Sequence, residues 1–95
     1  MLYILNYSPY LCDFAAILRT TSINDTLLLI SDGVIAGLNN SLALNAINAY
    51  SLKIYALKND IEARGIFPFY FPKIKIISYI EFVKLTENNF QQITW

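Results

Sequence analysis

The stretch LLLISDGVIAG, Leu27 to Gly37, decides the fold. With Thr26 in front, TLLLI (Thr26–Ile30) is a continuous apolar run, the pattern of a strand buried on both faces. It stops at Asp32-Gly33 and resumes as VIAGLNNSLALNAINAY, with helix-like spacing. Gly37, Asn39 and Asn40 break or bend that segment, and Ser41 is placed to cap a second helix. A buried strand, a tight turn and a helix make one βα step of a parallel sheet.

The same alternation extends in both directions. LYIL (Leu2–Leu5), LKIYAL (Leu52–Leu57) and IKII (Ile74–Ile77) read as further strands, and the tail QQITW as a final short one. Ser8-Pro9 reads as a helix start, followed by Leu11, Phe14, Ala15 and Leu18 as one apolar stripe. NDIEARG reads as a short helix with Gly65 at its C-terminal cap. Ser78-Tyr79-Ile80-Glu81 matches the capping-box pattern, with Tyr79, Phe82 and Val83 as the apolar face of the helix it opens. Strands and helices alternating at this spacing imply right-handed βαβ units. The expected architecture is α/β: a single three-layer α/β/α domain over residues 1–95, with a mostly parallel sheet of four to five strands.

Composition narrows the function. Of 95 residues, 56% are apolar or aromatic, more than the interior of so small a chain conceals. Neighbouring subunits are the expected cover for the excess. No run approaches the roughly 20 apolar residues that span a bilayer, and the start lacks a basic signal-peptide region, so the expectation is a cytoplasmic chain that does not enter a membrane. Seven basic and seven acidic residues are scattered, which disfavours direct nucleic-acid binding. There is no histidine, the commonest general base and zinc ligand, and no cofactor or metal is expected.

Candidate sites are few. Asp32-Gly33 lies where loops form the ligand crevice of an open parallel sheet. It lacks the glycines and the Lys-Ser/Thr step of a phosphate cradle, so Asp32 reads as a helix cap and Gly33 as a tight turn. Asp60 and Glu62, two apart, point in different directions and do not pair for acid–base work. Cys12, the lone cysteine, falls in the first turn of the first expected helix, where free amides favour a thiolate. Adjacent Asp13 opposes ionisation, and a small apolar residue is the alternative reading of Cys12. GIFPFYFP, Gly65 to Pro72, sets four aromatics in a segment whose two prolines forbid a regular helix. It reads either as a lid folded over the core or as an interface, with Ile66, Phe67, Phe69, Tyr70 and Phe71 as the interface candidates.

YSPY, LLLISDGV, KIYALKNDIEARGI, FVKLT and the terminal TW together resemble the TusB/DsrH family nearly end to end, with Lys53 to Gly65 the most specific segment. The resemblance implies a DsrEFH-like fold and a structural subunit of a heteromeric, TusBCD-like sulfur-relay complex. It implies assembly with TusC-like and TusD-like subunits as a dimer of heterotrimers. Such a complex receives persulfide sulfur from TusA and passes it to TusE, for 2-thiolation of the tRNA wobble uridine. The sulfur-bearing cysteine would belong to the TusD-like subunit. The cysteine that DsrH relatives carry later in the first helix aligns with Ile17 or Leu18, so Cys12 inherits no role. A persulfide-carrying sulfurtransferase using Cys12 is the alternative.

Overall fold

The computed structural model describes residues 1–89 and 91–95. Its strands are β1 (Leu2–Leu5), β2 (Thr26–Leu29), β3 (Lys53–Leu57), β4 (Lys75–Ile77) and β5 (Gln92–Thr94). Its helices are α1 (Phe14–Arg19), α2 (Leu42–Asn48), α3 (Lys58–Ala63) and α4 (Tyr79–Glu87), with 3-10 segments at Ser31–Gly37 and Phe67–Phe69. All five strands are parallel, in the order β4-β3-β2-β1-β5. Each expected strand is present, shortened by at most one residue at an end.

Strand order dictates the layers. β1 to β4 are laid down in one direction, so right-handed crossovers bring their connections to one face of the sheet. The step from β4 back to β5, at the opposite edge, reverses direction and carries α4 to the other face. The first face buries Tyr3, Leu5, Leu27, Leu29 and Ala56 against Phe14, Ile17, Leu18, Leu44, Ile47 and Ile61. The second buries Leu2, Ile4, Leu28 and Ile77, with Phe82 and Leu85 of α4 packed on them. Neighbouring residues of one strand thus serve opposite cores, as the pleat requires.

Local chemistry sets the helix ends. Ser41 Oγ accepts from the Leu44 amide at 3.1 Å, as its position predicts. At α4 the capping box is complete: Ser78 Oγ accepts from the Glu81 amide, and Glu81 Oε1 accepts from the Ser78 amide, each at 3.2 Å. Gly65 follows α3 with φ of 64°, the left-handed conformation expected just past a helix end.

Other expectations need correction. The first helix starts at Phe14, not at Ser8-Pro9, because Asp13 caps it by accepting from the Ala16 amide at 3.1 Å. Residues 9–13 form turns instead, and Leu11 projects into solvent rather than joining the stripe. The inward residues of α1 are Phe14, Ile17 and Leu18. On α4 the packed residues are Phe82 and Leu85, while Tyr79 is exposed and rests on the Phe82 ring at 5.7 Å between centroids.

Candidate functional site

The turn after β2 is a structural lock. Asp32 does not cap a helix; its Oδ1 accepts from Arg64 Nη2 at 2.8 Å and Nε at 3.2 Å. Arg64 also donates from Nη1 to the Asp60 carbonyl at 3.0 Å. The Asp60 carboxylate accepts from the Ser31 amide at 2.7 Å, holding Ser31 at φ of 52°, a region most side chains avoid. These bonds tie the β2 turn to α3. Gly33 is required by proximity: a β-carbon there would lie 2.0 Å from the Leu5 carbonyl oxygen at the end of β1. Asp60 and Glu62 diverge as expected, Glu62 reaching the exposed Lys58 instead.

A ligand crevice in an open parallel sheet lies between strands whose following connections leave on opposite faces. The connections after β1, β2 and β3 share one face, and the connection after β4 takes the other. That switch falls between β3 and β4, one strand away from Asp32-Gly33. An open groove of about 230 Å³ lies below it, between the sheet and α4, lined by Tyr55, Ile77, Glu81, Lys84, Leu85 and Asn88.

Cys12 sits in the turns before α1, not in a helical first turn. Its Sγ–H donates to the Ser8 carbonyl at 3.6 Å, and the side chain packs partly buried against the larger core. Burial, and then the Asp13 carboxylate beside it, push the Cys12 thiol up from its ordinary pKa. Each influence keeps the thiol protonated, whereas sulfur chemistry runs through the thiolate. Ile17 and Leu18 are both buried in the same core.

The aromatic segment divides between the two readings of it. Tyr70 is an internal residue of the chain, 6% exposed. Its ring covers Gly37 so closely that a β-carbon there would come within 2.3 Å of it. Ile66 and Phe71 also pack on the larger core, each partly covered. The Asn39 amide donates to the Phe69 carbonyl at 2.8 Å, and the Phe71 amide to the Gly37 carbonyl at 2.9 Å. The segment is therefore stitched down as a lid. Phe67 and Phe69 remain outside on its 3-10 turn, 53% and 63% exposed.

Further apolar groups reach solvent. Tyr7, Tyr10 and Leu11 do so in the segment after β1, and Tyr79 and Ile80 at the start of α4. Folding leaves these in water beside the buried core. Sequence reasoning found the aromatic loop from its composition but missed this second group. Its members are scattered singly in the chain, and no run or repeat marks them as exposed. Among the described residues no helix is long and apolar enough to cross a membrane.

The family model for DsrH like protein matches residues 7–92. The chain is 55% identical over its whole length to Protein TusB of Sodalis glossinidius and 45% to Protein TusB of Serratia proteamaculans. It is 41% identical to Protein TusB of Escherichia coli K12, again with all of both chains covered. The fold is shared with the ychN protein of E. coli at a TM-score of 0.73 and 19% identity, covering 99% of this chain and 97% of that one. It is also shared with Tm0979 of Thermotoga maritima at 0.66 and 28%, covering 94% of each. On the family match and the full-length relatives together, the chain belongs to the TusB/DsrH family.

Proposed function

We propose that this chain is a non-catalytic subunit of a TusBCD-like sulfur-relay complex. In that role it assembles with TusC-like and TusD-like subunits as a dimer of heterotrimers. The complex takes persulfide sulfur from TusA, hands it to TusE and so supplies 2-thiolation of the tRNA wobble uridine in the cytoplasm. The observation that carries the reading is end-to-end similarity, at 41–55% identity, to proteins named TusB. Two features of the chain support it. Apolar side chains such as Phe67, Phe69, Tyr79 and Ile80 stand in solvent beside a well-filled core. The lone thiol is held protonated by its surroundings. Assembly stabilises the arrangement that presents another subunit's cysteine, by mass action.

Co-expression with TusC-like and TusD-like chains tests the assembly. The expected result is one co-purifying species whose mass matches two copies of each chain. A well-behaved lone chain that ignores both partners contradicts it. Replacing Cys12 by Ser in a reconstituted relay tests the non-catalytic part. Sulfur transfer at the unaltered rate is expected, and its abolition would establish the persulfide-carrier alternative instead.

A further inference from the structure

The half of the second sheet face that α4 leaves open carries an unusual combination. Tyr55 on β3 lies opposite Lys75 on β4, whose Nζ stands 6.0 Å from the centre of the tyrosine ring. Lys84 of α4 borders the same groove as Tyr55, Ile77 and Leu85. Lys53, two residues before Tyr55 on β3, shares its face by the alternation of the strand. All three lysines are exposed, and none forms an ion pair among the described residues. The carboxylate in the groove lining, Glu81, is bonded back to the Ser78 amide that opens its own helix. In a chain of zero net charge, Lys84 thus borders the groove, Lys75 stands over its Tyr55 wall, and Lys53 lies on the same face of β3.

We propose that this groove is the docking site for an acidic segment of a partner protein, one that seats a single aliphatic or aromatic side chain between flanking carboxylates. The floor of Tyr55, Ile77 and Leu85 receives the apolar group, and Lys53, Lys75 and Lys84 face the carboxylates. Electrostatic complementarity of this kind sets partner choice and encounter rate. A free small molecule fits less well, because ligand pockets are enclosed and usually exceed about 300 Å³. A nucleic acid fits less well too: three separated lysines make a short footprint for a phosphate backbone, and the notch has room for an apolar group rather than a phosphate. The inference goes beyond the relay assignment, since nothing in it depends on sulfur transfer.

The test uses the ¹⁵N-labelled full chain, alone or with its co-purifying subunits, titrated with the acetylated peptide Asp-Glu-Phe-Glu-Asp. Shift changes at Tyr55, Ile77 and Leu85 are expected, weakened at about 1 M salt, where the Debye length falls to about 3 Å. Lys75→Glu with Lys84→Glu should weaken binding at least about tenfold. The uncharged pair Lys75→Met with Lys84→Met, a milder change at two exposed sites, should also weaken it and guards against a folding defect. Arg19→Glu, at the end of α1 on the opposite face, should leave it unchanged. The proposal is overturned if the groove residues do not respond at millimolar peptide. A glycine-centred or lysine-flanked peptide binding equally, or an oligouridylate competing better than the peptide for these lysines, overturns it as well. Because the readout is local, failure here leaves the assembly test of the preceding section untouched.

Discussion

The two faces of the sheet are built from adjacent residues and end in different states. On the first, three successive crossovers lay α1, the 3-10 segment with α2, and α3 over the strands, and the aromatic lid adds Tyr70 and Phe71. On the second, α4 works alone, and although Phe82 and Leu85 pack inward no residue of that helix is fully buried. The difference follows from one reversal of strand order, since β1 and β2 bury apolar residues on both sides of the sheet. A thickly covered face is closed by several elements of the chain; a thinly covered one rests on a single helix.

The sharpest probe of that difference is a pair of neighbours on β2. Leu29 and Leu28 are both fully buried, one in each core. Leu29→Ala should cost about 4 kcal/mol, since helices and lid cannot all close the hole. Leu28→Ala should cost about 2–3 kcal/mol, because a single helix can settle inward. Denaturant midpoints measure both, and equal losses would mean that the faces are equally rigid. Next in size is Gly33→Ala, which sets a methyl group against the Leu5 carbonyl and should cost about 3 kcal/mol. An unchanged midpoint would show that the β1 end yields easily.

A smaller effect of opposite sign is expected within the thick face. The Tyr70 hydroxyl is buried and lacks a hydrogen-bond partner among the described residues. Tyr70→Phe should therefore raise stability by about 1 kcal/mol, because it removes an unpaired polar group and orphans nothing. Burial raises the phenol's pKa well above its ordinary value near 10. With the folded value raised, the phenol ionises first in the unfolded chain, so stability falls as pH rises above the unfolded value. The alkaline loss of stability above about pH 10 should shrink in the Phe variant, in calorimetry across pH.

The smallest effect lies at the edge of the first strands. The Ser22 amide, and after it the N-terminal ammonium, hold the Asp25 carboxyl below its usual range. Its contribution is present above about pH 4 and is lost as pH falls through the lower folded value. Asp25→Asn should flatten the acid limb of the stability profile by under about 1 kcal/mol, with no change at the alkaline end.

The strands were legible because a short, continuous apolar run flanked by polar turns has few other uses. Capping at Ser41 and Ser78 was legible because those bonds span three residues. The start of α1 was misplaced because Ser8 and Asp13 both present capping chemistry, and only Asp13 reaches the amide of a formed helix. The partner of Asp32 is Arg64, far along the chain, and no periodicity announces such a pair. The aromatic loop posed the same difficulty: an irregular segment has no repeat from which to read that Tyr70 faces inward and Phe69 outward. The groove beside α4 was invisible, since it exists only where α4 crosses and the strand order turns back.

Strand β5 pairs with β1, so that Leu2 meets Gln92 and Tyr3 stacks on Trp95 at 5.7 Å. During synthesis the earliest strand therefore waits for the latest, with one edge unpaired throughout. Closure of so long a loop slows folding and prolongs that exposed interval. A ribosome-bound nascent chain lacking β5 is thus a species that chaperones would have to shelter.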